Sequence, residues 1–230
     1  DGVKDDLTLA LAIDDQRYVK GYKFMVLDPS GSAVATILNK EDREETRDFG
    51  NLWKRLIYAK TGIPIPDSIR WDGKSDAGAL VPDGKYTYVV EAWDDNGNTG
   101  ASATGTVVVD NTPPTVTLSA PYLIFSPNGD GNKDTLEVQQ SGSVEDRWTG
   151  VFSDVAGTPA ASFAWEKQAL APWAWNGKNE QGARVSDGVY SYRVTATDRA
   201  GNGAVAQLDN VIVDTQETPI QLTIDQSFFS

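Results

Sequence analysis

Residues 71–98 read WDGKSDAGALVPDGKYTYVVEAWDDNGN and residues 175–202 read WNGKNEQGARVSDGVYSYRVTATDRAGN; the two strings align without a gap at an offset of 104, and more than half their positions are identical. A repeat of this length constrains the fold more than any local propensity, because it says that one structural unit has been built twice. Each copy carries hairpin chemistry. Asp72-Gly73 and Asn176-Gly177 follow a tryptophan and suit the positive φ angles of tight turns. Gly78 and Gly182 mark a second bend, and Asp83-Gly84 and Asp187-Gly188 a third.

Strict alternation follows. Tyr86, Tyr88, Val90 and Ala92 share one face in the first copy, and Tyr190, Tyr192, Val194 and Ala196 share one in the second. Period two over seven residues predicts a half-buried strand. Asn96-Gly97 and Ala200-Gly201 then lead into further strands at 107–109 and 211–213.

The string W-[DN]-G-x4-G-x-x-V-x-D-G-x-Y-x-Y, closing on D-x-x-G-N, resembles the immunoglobulin-like domain of bacterial flagellar hook-capping proteins. The resemblance implies a β-sandwich of the immunoglobulin or fibronectin III kind. It does not carry the hook-capping activity with it, since folds host many functions. Hook capping would also need a polymer-docking segment that this stretch does not contain.

At 230 residues the chain accommodates two sandwiches of about 100 residues each. We place them at 1–112 and 113–230. Without cysteine, such sandwiches hold by packing alone. The net charge of −13 argues against nucleic acid and anionic membrane as partners. No stretch has the length of a transmembrane helix, and no signal peptide is visible.

Further repetition suggests a longer array. Asp1-Gly2-Val3-Lys4-Asp5 matches Asp130-Gly131-Asn132-Lys133-Asp134, and Phe229-Ser230 matches Phe125-Ser126 at the offset of 104. The expected partners are therefore neighbouring repeats of the same chain. Asn111-Thr112-Pro113-Pro114, and its counterpart ending at Pro219, reads as a stiff junction, because proline locks φ.

The first copy has extra sequence between Ile37 and Trp71. Within residues 40–60, Phe49, Leu52, Trp53, Leu56 and Ile57 fall at helical spacing, with Asn39 as cap and Gly62, Pro64 and Pro66 as stops. This predicts one amphipathic helix inserted in the first sandwich. Its apolar stripe either covers a sheet edge or docks a partner through Phe49, Leu52, Trp53 and Leu56. The expected class is thus all-β: two tandem immunoglobulin/fibronectin III-like sandwiches, the first with an inserted α-helix.

Two other features are candidate sites. Trp165 and Trp173 flank a less regular stretch and could be exposed to a protein or a glycan, or could fill the core of a disulfide-free sandwich. Asn128, Asp130, Asn132 and Asp134 place oxygens at alternate positions among glycines, as in the first half of a calcium loop. The twelfth position is Gln139 and the EF-hand glycine is missing, so any calcium site would recruit oxygens from elsewhere. The alternative is a set of Asx turns with no ion. Asp1 and Asp5 are the weaker counterparts in the first copy.

Catalysis finds little support. Histidine and cysteine are absent, which removes the commonest general base and the thiol nucleophile. Asp72, Asp83, Asp94, Asp187 and Asp198 all fall at predicted turns. The reading is a non-enzymatic spacer or interaction segment of a larger exported bacterial protein, at the cell surface, in the periplasm or outside the cell.

Overall fold

The computed structural model describes residues 4–14, 18–40 and 62–223. It divides into two compact units, Asp1–Thr112 and Pro113–Ser230, and each is described by itself.

The first unit contains β1 (Leu7–Ala10), β2 (Gly21–Leu27), β3 (Ala33–Lys40), β4 (Ser68–Trp71), β5 (Gly84–Trp93), β6 (Thr99–Ala101) and β7 (Gly105–Val109). β1 pairs with β4, and the second sheet runs β3-β2-β5-β6 with β7 also on β5. The core between them holds Tyr22, Phe24, Val26, Ile69, Trp71 and Tyr86. Tyr88, Val90 and Ala92 pack against that core from the alternating face of β5.

The second unit contains β8 (Val116–Ser119), β9 (Ile124–Phe125), β10 (Leu136–Gly142), β11 (Glu145–Asp154), β12 (Pro159–Gln168), β13 (Trp173–Trp175), β14 (Gly188–Thr197) and β15 (Gly203–Val213). One sheet is β13-β10-β8 and the other β12-β11-β14-β15-β9. All pairings are antiparallel except β15 with β9, which is parallel. Leu136, Val138 and Trp175 from the first sheet meet Trp148, Phe152, Tyr192, Val194 and Val211 from the second in one core.

The repeated motif now has a physical reading. The positive φ of Gly73 and Gly177, 71° and 70°, closes a turn that brings a carbonyl back over the tryptophan. Trp71 Nε1 donates to the Lys74 carbonyl at 2.7 Å, and Trp175 Nε1 to the Lys178 carbonyl at 2.9 Å. Each ring can therefore be buried without an unpaired N–H. Tyr86 donates its hydroxyl to the Pro82 carbonyl at 2.8 Å, and Tyr190 to the Ser186 carbonyl at 2.7 Å. A tyrosine that bonds back to the chain at the start of the penultimate strand is a hallmark of the immunoglobulin sandwich, as is a buried tryptophan on the third main strand. Trp148 on β11 is that tryptophan, fully buried. Strand order and a tyrosine corner in both units, with the tryptophan in the second and Tyr22 at its place in the first, define two successive immunoglobulin-like sandwiches.

One expectation is corrected. The described residues contain no helix: among them the architecture is strands only, rather than a sandwich carrying an inserted α-helix. Asn39 and Lys40, read as the cap and first residue of that helix, are the last two residues of β3 and pair with Tyr22 and Gly21 of β2. Sheet pairing along a buried β2 outweighs local capping preference here. Asn39 uses its amide instead on the Pro64 carbonyl, at 3.5 Å. Phe49, Leu52, Trp53, Leu56 and Ile57 lie outside the described residues.

Candidate functional site

The acidic loop sits between β9 and β10. Asp134 accepts from the Gly129 amide at 2.7 Å with one oxygen and from the Gly131 amide at 2.8 Å with the other. Asp130 accepts from the Asn132 amide at 2.7 Å, and Asn128 from the Asp130 amide at 3.0 Å. The Asn128 side-chain amide reaches the second Asp130 oxygen at 3.2 Å. Lys133, at φ 51°, carries its ammonium to 5.2 Å from the centre of the Tyr122 ring. These are nested Asx turns, and the loop's oxygens face N–H groups of the loop itself.

Among the described residues no three Asp, Glu, His or Cys side chains form a group suited to a metal. The carboxylate oxygens of the loop already accept from its own N–H groups, whereas a calcium ion takes six to eight converging oxygens. Asp1 lies outside the described residues, and Asp5 is exposed. Asp134→Ala should therefore lower the midpoint of the second unit by a few degrees, about 1 kcal/mol, equally in chelator and in millimolar calcium. Thermal melts in the two buffers check this; a calcium-dependent rise lost in the variant would give the loop an ion instead.

Trp165 on β12 and Trp173 on β13 are half-buried and pack against the core. Their rings meet edge-on with centroids 5.6 Å apart, and Phe163 lies 4.7 Å from Trp173. The column continues inward, where Phe152 stacks on Trp175 at 3.7 Å and on Tyr192 at 4.3 Å. Gly150 makes room for it, since a Cβ there would come within 2.5 Å of the Tyr192 hydroxyl. Burial pushes the Tyr192 hydroxyl far above its usual range. Tyr192 donates to Gln140 Oε1 on β10 at 3.0 Å. Two residues after the corner tyrosine is where antibody domains carry the second cysteine of their inter-sheet disulfide. Here a buried hydrogen bond takes that place.

A third site was not singled out by sequence reasoning. Asp83 accepts from the Asn111 amide at 2.6 Å, from the Asn111 side chain at 3.0 Å and from the Thr112 hydroxyl. The Thr112 hydroxyl and the Asn111 amide hold its carboxyl below the usual aspartate value. Asp187 does the same for the second unit, accepting from the Thr215 amide at 3.0 Å and its hydroxyl at 2.9 Å. Each carboxylate clamps the segment leaving its own module. The signal was present as Asp-Gly and a later Asp at the same offset in both copies, followed by Asn-Thr in the first and Thr-Gln in the second, but only a contact across 28 residues links them.

Comparisons with known proteins place no family on the chain. No family model matches it, so the hook-cap resemblance is not shown, and no curated protein matches either. Among solved structures, the chain is similar to the fibronectin(III)-like modules of Clostridium thermocellum CbhA, at 14% identity and TM-score 0.40 over 96% of this chain and 93% of that one. It is similar to a tetra-tandem repeat in the extending region of a large adhesion protein, at 16% identity and TM-score 0.38, covering 92% of this chain and 50% of that one. Dimeric latent PorU from Porphyromonas gingivalis matches at 14% identity and TM-score 0.36, over 65% of this chain and only 13% of PorU. The fold class rests on the strand order and the tyrosine corners of this chain itself.

Proposed function

We propose that the chain is a non-catalytic structural segment of a larger exported bacterial protein, in which immunoglobulin-like modules follow one another as spacers. The observation that carries this reading is the repeated exit clamp. Asp83 and Asp187 fix the residues that leave each module, and Pro113-Pro114 stiffens the chain directly after the first clamp. A module that merely binds a ligand has no need to hold its outgoing chain in a set direction.

The chemistry of the carboxyl groups supports the same conclusion. Asp94 is held below its usual range by the Asn98 side chain and the amides of Asn98 and Asn96. Burial acts to raise Asp198, and hydrogen bonds from Asn202 and Gly201 outweigh it. Among the described residues every aspartate with a shifted acidity is shifted down. A general acid needs the opposite. No helix among these residues is long and apolar enough to cross a membrane.

The test is small-angle scattering of the two-module chain beside Asp83→Ala and Asp187→Ala. The wild type should be reproduced by a single arrangement of two modules, and Asp83→Ala should require a broader set. Asp187→Ala, which acts at the other exit, should scatter as wild type. A wild type that already behaves as freely jointed sinks the spacer reading.

A further inference from the structure

Asparagine followed by glycine is the pair at which a chain most readily attacks itself, because no side chain shields the glycine nitrogen. Four such pairs occur: Asn96-Gly97, Asn128-Gly129, Asn176-Gly177 and Asn202-Gly203. The fold holds three of them. The Gly129 amide donates to Asp134 at 2.7 Å, and both ends of the Asn128 side-chain amide are engaged with Asp130. Gly177 is buried under Pro127, whose ring would lie 2.8 Å from a Cβ there, and Asn176 Oδ1 accepts from the Lys178 amide at 3.2 Å. Asn202 Nδ2 donates to Asp198 at 2.9 Å, and Gly203 opens β15 opposite Thr197.

The pair Asn96-Gly97 is left free. Both residues are exposed, and Gly97 takes φ 84° with open space where a Cβ would stand. The turn is closed around them instead. The Asp94 amide donates to the Asn98 carbonyl at 3.1 Å, and one Asp94 oxygen takes the amides of Asn96 and Asn98 at 2.9 and 2.8 Å. Among the described residues neither the Asn96 side chain nor the Gly97 amide has a hydrogen-bond partner. The equivalent turn of the second unit carries Ala200 in place of the asparagine, and its Gly201 amide donates to Asp198 at 2.8 Å.

We propose that Asn96-Gly97 is a site of self-modification, at which the first unit converts its asparagine to aspartate and isoaspartate. The Gly97 nitrogen loses its proton to water and bonds to Asn96 Cγ. The Cγ–Nδ2 bond then breaks, and that nitrogen takes a proton from solvent and leaves as ammonia. Water opens the resulting five-membered imide at either carbonyl carbon. One opening gives aspartate; the other leaves the main chain running through the side-chain carbon, one methylene longer. Water enters and ammonia leaves, so the step needs no oxidant or reductant.

The turn is poorly placed to absorb the change. Asp94 is 6% exposed and Asp95 directly precedes the site, so a new carboxylate arises beside two others. The added methylene also displaces the two amides that one Asp94 oxygen holds together. Conversion therefore loosens the hairpin of β5 and β6 in one module and leaves the other module as it was. The inference holds whether or not the modules act as spacers, since it concerns bonds within a single turn.

Peptide mapping by mass spectrometry reads it directly, on the whole chain kept folded in mildly alkaline buffer below both unfolding transitions. The chain in denaturant supplies the reference, because there all four pairs are free and should react alike. In the folded chain Asn96 should keep close to its unfolded rate. The other three should react about tenfold or more slowly, the factor for first breaking one strong hydrogen bond. Asn96→Ala, the residue of the second copy, should remove the signal. Thermal melts of the aged chain should show the first unit lowered by a few degrees and the second unchanged, while aged Asn96→Ala melts as fresh. An Asn96 as slow as the other three, another pair as fast in the folded chain, or an aged first unit that melts as fresh each overturns the inference.

Discussion

Phe152→Ala is expected to destabilise the second unit by about 3–5 kcal/mol, the range for deleting a large buried aromatic. Its ring is fully buried and lies between Trp175 and Tyr192, at 3.7 and 4.3 Å, with Phe163 edge-on at 6.3 Å. Trp175 belongs to one sheet, and Phe152 and Tyr192 to the other, so the stack joins the two layers. Removing it opens a cavity whose walls are flat rings that cannot collapse inward without leaving their own partners. The midpoint of the second unit should fall by more than about 10 °C while that of the first stays put. Calorimetry resolving the two transitions checks both halves of the statement.

Tyr192→Phe should cost the second unit about 1–3 kcal/mol, although only one oxygen is removed. Gln140 is 2% exposed, its Nε2 has no partner among the described residues, and its Oε1 would lose the Tyr192 hydroxyl. The penalty is that of a buried amide left unsatisfied at both ends. Adding Gln140→Leu removes that amide, and the double variant should recover most of the loss. In the first unit, counting from Leu7 opposite Trp71 and Leu136 opposite Trp175, Leu11 stands at the position of Gln140, so an apolar residue is compatible with this place in the fold. Denaturant titrations of the four proteins give the coupling between the pair. A double variant no more stable than Tyr192→Phe would remove the hydrogen bond from the account of how the sheets are tied.

What the sequence discloses follows the range of each interaction. Tyr190, Tyr192, Val194 and Ala196 are buried as their alternation predicts, because a strand packed on one face writes its environment into neighbouring residues. Turn positions were legible for the same reason. The Asp83 and Asp187 clamps were not, since each couples residues 28 apart and a turn aspartate looks alike whether or not it reaches a distant amide. Asn39 and Lys40 were misread because capping preference is local and the pairing of β3 with β2 is not. Alternating oxygens at 128–134 suit both a calcium loop and nested Asx turns, and spacing alone does not show which amides the oxygens meet. Trp165 and Trp173 looked displayable because their stretch lacks clean periodicity. They sit on β12 and β13, where sheet pairing turns both rings towards the core.

The parallel pairing of β9 with β15 has a mechanical consequence. It joins the strand near the beginning of the second module to the one at its end, through Ile212 N to the Leu123 carbonyl at 2.7 Å and Asp214 N to the Phe125 carbonyl at 3.2 Å. Tension on the two ends of the module pulls these parallel strands in opposite directions along their length. The load falls on both hydrogen bonds together, in shear, whereas an antiparallel hairpin pulled from its open end yields one bond at a time. Once a load has passed β8, a module closed this way resists stretching between β9 and the point where the chain leaves it.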